Sequence, residues 1–257
     1  MYGRNRGYMS QSGIPGMTPM VQRIVIANSV VWLAQLVGGR VGLDLTGLGE
    51  VSVNGFVDGL RIWEPFTYMW LHSNLGHIAM NCFALWMFGS PLAMAWGAKR
   101  FLRYYLACGV GAGFVIATWP YLAVQIGVSS PAALNIPTIG ASGAIYGVLL
   151  GYSLSWPDRT LVFFPLPVAI RAIWLIPITF FLSLYADQAG VVSHVGHLGG
   201  VLVGWILLRQ GGTAAGLPTW TQLKWRWQRL RMRRKLRAVR WDEDASRQRR
   251  NDDRTLH

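Results

Sequence analysis

Residues 140–147 read Gly140-Ala141-Ser142-Gly143-Ala144-Ile145-Tyr146-Gly147. An uncharged loop with two prolines precedes them and an apolar run follows. A hydroxyl set among small residues at the mouth of a hydrophobic helix is an unusual arrangement. Two other stretches share it. Downstream stands His194-Val195-Gly196-His197-Leu198-Gly199-Gly200, and upstream His72-Ser73-Asn74-Leu75-Gly76-His77-Ile78-Ala79-Met80-Asn81. Each opens an apolar segment, and the three are expected to meet in one site inside a membrane.

Composition supports the membrane. Of 257 residues, 52% are hydrophobic and 14% charged, where soluble domains carry about a quarter charged. Thirteen Trp and 30 Gly suit helices that pack through glycine and anchor through tryptophan. The net charge of +13 is uneven: residues 1–208 carry +4 and residues 209–257 carry +9. Cys82 and Cys108 lie in apolar runs and read as small hydrophobes rather than a disulfide framework. The first twenty residues lack a basic stretch leading into an apolar one, so no cleaved signal peptide is expected.

A spanning helix needs about 20 mostly apolar residues. Six segments qualify as candidates: 21–37, 75–96, 101–127, 140–156, 168–188 and 194–209. Arg4, Arg6 and Arg23 flank the first, and Lys99, Arg100 and Arg103 join the second to the third. Arg159 and Arg171 join the fourth to the fifth, and the basic tail follows the sixth. The alternate loops are poor in base, so both termini are expected in the cytoplasm. Residues 1–20 read as a polar tail, 21–210 as the membrane domain and 211–257 as a basic tail. The fold expected is all-α, a six-helix bundle whose long first loop, 38–74, lies in the outer interface through its aromatic residues.

With both ends inside, the second, fourth and sixth helices run inward, so His77, Asn81, Ser142 and His197 fall at similar depth in the outer half of the bilayer. Gly143, Gly147 and Gly151 repeat every four residues, as do Gly196, Gly200 and Gly204. If these rows face each other, Ser142 and His197 come within hydrogen-bond reach. Tyr146 lies one turn beyond Ser142, placed to pack on the imidazole. A serine hydroxyl becomes a nucleophile when a neutral His takes its proton. His77 and Asn81, at i and i+4, share a helix face. With the Ser142 N–H they form a candidate oxyanion hole. No carboxylate stands in the bundle to orient His197, and Asp187 reads as interfacial, so a dyad is expected rather than a triad.

At these residues the chain resembles the rhomboid family of intramembrane serine proteases, over about residues 56–209. The family's Gly-x-Ser-Gly is Gly140-Ala141-Ser142-Gly143 and its His-x-x-x-Asn is His77 to Asn81. Its sixth-helix His, with Gly at +3 and +7, is His197, followed by Gly200 and Gly204. The resemblance implies that Tyr146 stacks on His197. It also implies cleavage of membrane-anchored proteins in or beside a spanning helix, with no cofactor. Two positions depart from the common pattern: Ala93 stands where many relatives carry Glu, and the first-loop Trp-Arg pair has only Arg61-Ile62-Trp63 near it.

Other readings stay in view. A rhomboid-like protein could bind membrane clients without cleaving them, and a transporter could use the histidines as proton or ion sites. The transporter would want acidic partners in the bundle, and a metal site would want acidic or thiol ligands. Neither accompanies these histidines, so no metal is expected. His72 and His194 read as structural or interfacial. Trp220, Leu223, Trp227 and Leu230, set among Arg and Lys, read as an amphipathic helix on anionic lipid or as a basic tail that fixes topology. No motif points to nucleic acid. Transmembrane proteins are the expected substrates, and a bacterial inner membrane the expected location.

Overall fold

The computed structural model describes residues 16–163, 168–186 and 193–210. Helix α1 spans Pro19–Arg40. Its first residue is proline, whose missing N–H costs nothing where no intrahelical acceptor exists. A short α2, Leu45–Gly49, is capped by Asp44, whose Oδ1 accepts from Gly47 N–H at 2.9 Å. After α3, Glu64–Thr67, the chain enters α4, Leu75–Ala84. A π-helical stretch, Leu85–Gly89, carries α4 without a break into α5, Ser90–Trp96. Gly97, with φ of +85°, makes the sharp turn into α6, Ala98–Gln125. Then come α7, Ser142–Ser155, a β-hairpin of β1, Thr160–Phe163, with β2, Val168–Arg171, then α8, Leu175–Ala186, and α9, His194–Gln210.

Among the described residues, three helical segments are long and apolar enough to cross a membrane: Pro19–Arg40, Leu75–Trp96 and Ala98–Gln125. The last has 28 residues, or about 42 Å at 1.5 Å per residue, beyond the hydrocarbon thickness of about 30 Å. The 14 residues of α7 reach only about 21 Å. That helix is apolar all round, and Gly143 through Leu149 are buried without a break, the pattern of a helix sheathed by others rather than by lipid. Helices α6, α7 and α9 pack on one another and form the centre of the bundle.

The described residues are mostly helical, and the hairpin adds two short strands that correct the fifth candidate segment, 168–188. Residues 168–171 pair antiparallel with 160–163, Thr160 opposite Arg171 and Phe163 opposite Val168. Val162, Val168 and Ile170 are β-branched, and Pro165 and Pro167 stand between the strands, so the sequence there suits a strand better than a helix. The helix begins only after Trp174.

The first loop is ordered from within. Glu64 is 1% exposed. Its Oε2 accepts from Ser52 N–H at 3.1 Å, and Arg61 approaches at 3.6 Å. Burial raises its carboxyl above the ordinary 4.5. Trp63 Nε1–H donates to the Leu48 carbonyl at 2.9 Å, and Thr67 Oγ1–H to the Gly49 carbonyl at 2.8 Å. The anticipated tails at 1–20 and 211–257, apart from residues 16–20, lie outside the described residues. So do the helix proposed around Trp220 to Leu230, and Asp187.

Candidate active site

The two glycine rows meet, but not along their whole length. A Cβ on Gly200 would fall on the Gly143 carbonyl oxygen, and one on Gly204 would lie 3.3 Å from Gly147 Cα. Helices α7 and α9 therefore touch backbone to backbone here, a contact that only glycine permits. Gly151 faces Trp96 of α5 instead, while a Cβ on Gly196 would meet Ile116 of α6, although the Gly196 carbonyl itself lies 3.3 Å from where a Cβ on Gly143 would stand. Tyr104 crosses from α6 to donate to the Gly147 carbonyl at 2.8 Å.

Ser142, the first residue of α7, and His197, one turn into α9, flank this contact. The Ser142 Oγ lies 2.9 Å from His197 Nε2. His197 is 6% exposed. Tyr146 is stacked on its ring, with centroids 4.1 Å apart and planes 16° from parallel. His194 touches the ring edgewise at 6.1 Å. The Nδ1 of His197 has no hydrogen-bond partner among the described residues.

The loop before Ser142 is held from the first loop and its end. Val51 and Thr138 exchange two backbone hydrogen bonds, of 3.0 and 2.8 Å, and Gly140 N–H donates to the Tyr68 carbonyl at 2.9 Å. The Asn54 amide donates to Asn135 Oδ1. The Tyr68 hydroxyl in turn donates to the Gly109 carbonyl of α6 at 2.7 Å. Gly140 has φ of +125°, in the region that favours glycine. It also has no room: a Cβ there would lie 2.6 Å from His77 Nε2 and 3.8 Å from Asn81 Nδ2. Asn81 is 8% exposed and its Nδ2 has no partner among the described residues. Two polar groups of α4 thus converge beside Gly140, two residues from Ser142. One is an amide whose hydrogens are unused.

All the residues singled out in the sequence, Ser142, His197, His77, Asn81, Gly140 and Tyr146, are brought together. Two supporting residues, Gln35 and Asn74, were missed, while His72 was read only as structural or interfacial. Gln35 of α1 accepts from His72 N–H at 3.0 Å while its amide donates to Thr46 Oγ1 at 2.9 Å. His72 is 2% exposed and packs edgewise on His77, with centroids 5.0 Å apart. Asn74 caps α4, its Oδ1 accepting from His77 N–H at 2.9 Å. An Asn just ahead of an apolar run is a helix-start signal that would have found this last contact. Nothing in sequence spacing relates Gln35 to His72.

The Rhomboid domain family model matches residues 59–210. Rhomboid protein 1, mitochondrial, of Saccharomyces cerevisiae is 34% identical over 147 residues, which cover 53% of this chain and 39% of the yeast protein. Rhomboid protease GluP of Bacillus subtilis is 28% identical over 214 residues, 81% of this chain and 36% of that protein. Rhomboid protease AarA of Providencia stuartii is 30% identical over 155 residues, 55% of this chain and 53% of that protein. The chain spans between about a third and a half of the length of these relatives. The domain match covers more than half of the chain and takes in the Ser142, His197, His77 and Asn81 cluster: this chain belongs to the rhomboid family of integral membrane proteins.

Proposed function

We propose that the chain is an intramembrane serine endopeptidase that hydrolyses peptide bonds in or next to spanning helices of other membrane proteins. The single observation that carries this reading is the 2.9 Å separation of Ser142 Oγ and His197 Nε2. Relatives named as rhomboid proteases, GluP and AarA, agree with it.

In this reading Ser142 Oγ attacks the carbonyl carbon of the scissile bond as His197 Nε2 takes its proton. The negative charge that forms on the carbonyl oxygen is met by His77, the Asn81 amide and the Ser142 N–H. As the C–N bond breaks, His197 returns the proton to the leaving amine, and the acyl group stays on Ser142. Water, deprotonated by His197, then attacks the ester, and His197 returns that proton to Ser142 Oγ as the C–O bond breaks and the acid leaves. The dyad needs no third member: a buried, stacked imidazole is already held in place, and the unpartnered Nδ1 of His197 fits that reading. No cofactor takes part.

The proposed architecture has six membrane segments with both termini cytoplasmic, a membrane domain over 21–210 and a basic tail over 211–257 that meets anionic lipid. A bacterial inner membrane is the proposed home, although the relatives include mitochondrial proteins as well as bacterial ones.

The test is cleavage of a substrate with one spanning helix carrying Ala, Gly and Ser near its outer end, in liposomes, with fragments sized by mass spectrometry. Wild type cleaves, and Ser142→Ala and His197→Ala each lose at least about 10³-fold in kcat. Cleavage that survives Ser142→Ala overturns the mechanism. Substrate held but left intact by wild type supports a client-binding protein instead.

A further inference from the structure

We infer that Ser73 is a positioning residue that locks His77 in the tautomer with its proton on Nε2, the nitrogen beside Gly140. The inference rests on the proposed oxyanion role of His77, and its central measurement is independent of activity.

A backbone N–H only donates, and that of Ser73 lies 3.5 Å from His77 Nδ1. The Ser73 hydroxyl lies closer, 3.1 Å from the same nitrogen. A hydroxyl can donate or accept, so its direction needs a second partner to settle it. Asn74 supplies one: its Nδ2 lies 3.2 Å from Ser73 Oγ, and an amide nitrogen only donates. The Asn74 amide is itself oriented, because its Oδ1 accepts the capping bond from His77 N–H at 2.9 Å. Ser73 Oγ accepts from Asn74, which leaves its own hydrogen available to His77 Nδ1, and the Ser73 backbone N–H, which cannot accept, fixes that nitrogen as the acceptor. Two donors converge on Nδ1, which makes it the acceptor, and the proton of the neutral ring sits on Nε2. That nitrogen faces Gly140, where a Cβ would lie 2.6 Å away.

The assignment matters because the two histidines of the site need opposite tautomers. His197 must present an unprotonated Nε2 to Ser142 in order to take a proton. His77 must present a protonated Nε2 in order to give a hydrogen bond to a developing oxyanion. The protein achieves the second with two exposed side chains in the turn before α4. His72, packed on the other side of His77, restrains the ring but says nothing about its proton.

The experiment uses the full chain labelled with ¹⁵N-histidine in liposomes. The five histidines are distinguished by loss of one signal set in His77→Asn. Wild type shows His77 with a protonated Nε2 and a bare Nδ1. Ser73→Ala moves that ring to a mixture of tautomers and lowers kcat about tenfold at unchanged KM, by analogy with other groups that orient a functional imidazole. Ser73→Thr, which keeps the hydroxyl, stays within about twofold of wild type. Asn74→Asp keeps the cap but accepts the Ser73 hydrogen itself, and reproduces the Ser73→Ala spectrum.

A wild-type His77 protonated on Nδ1 overturns the inference, as does a Ser73→Ala protein with unchanged tautomer. A tautomer shift with no change in kcat overturns the positioning role. If wild type cleaves nothing, the proposed function fails while the tautomer measurement still decides what Ser73 does to His77.

Discussion

The Tyr146 ring lies flat on the His197 imidazole, 16° from parallel at a centroid distance of 4.1 Å. Both rings are largely buried, so the stack fixes the direction in which Nε2 points. Aromatic pairs of this kind contribute about 0.5–1.5 kcal/mol. Tyr146→Ala should therefore lower kcat about three- to tenfold, with a smaller effect on KM. Tyr146→Phe keeps the stack and should stay near wild type. Steady-state cleavage of a spanning-helix substrate separates the two, and equal losses in both variants would assign the effect to the hydroxyl.

Asn81 predicts opposite effects on rate and stability. Its amide is buried without a partner among the described residues, so in the resting protein it bears a desolvation cost with no return. Removing an oxyanion donor costs about 10²–10³ in kcat. Asn81→Ala should show that loss while its thermal midpoint stays within about 2 °C of wild type. A large drop in the midpoint would make Asn81 a structural residue of α4.

Gly200 should be among the least replaceable residues of α9. An added methyl would land on the Gly143 carbonyl, which is backbone and cannot swing aside. Gly200→Ala should destabilise by about 3 kcal/mol or more and abolish cleavage. Gly39, also helical, has nothing within 4 Å of such a methyl. Gly39→Ala should be neutral or stabilising by up to about 1 kcal/mol. Thermal unfolding in detergent measures both.

His72 gives a pH dependence. Burial, with His77 nearby, pushes its pKa from 6.5 down to about 4. The unfolded chain then binds a proton that the folded chain refuses, so stability is full above pH 6.5 and falls as pH drops towards 4. Between pH 7 and 5 the loss is about 2 kcal/mol at a limiting slope of about 1.4 kcal/mol per pH unit. His72→Phe should flatten the curve by that amount when unfolding is followed at several pH values. Curves of the same shape would show that His72 does not stay neutral. Glu64, whose buried carboxyl is raised above 4.5, acts in the opposite sense: it loses stability as pH rises past 4.5.

The site was more legible in the sequence than the fold around it. Ser142, His197, His77 and Asn81 each stand out because a polar group in an apolar helix is costly and needs a reason. Their expected meeting rested on the order of the apolar runs and the charge of the loops between them. The glycine spacing of four announced a close helix pair, yet it could not tell that Gly151 turns to Trp96 while Gly147 sits between Cys108 of α6 and the Gly200 carbonyl of α9. That choice depends on the crossing of α7 with two neighbours at once. The start of the fifth segment, 168–171, was misread because apolar, β-branched residues fit a buried helix and a strand equally well by hydropathy. The inner order of the first loop was hidden for another reason. Glu64 binds Ser52 N–H and Gln35 binds His72 N–H, and backbone partners leave no trace in residue type.

The backbone contact between Gly143 and Gly200 also bears on control. Ser142 and His197 stand on either side of a junction with no side chain to rearrange and no gap to close. The spacing of the two helices there is therefore set by the thickness of two peptide chains, while Tyr146 fixes how the His197 ring is turned within it. On the proposed function, a pair held this way is armed whenever the protein is folded. Restraint would then come from elsewhere, from which chains reach the pair.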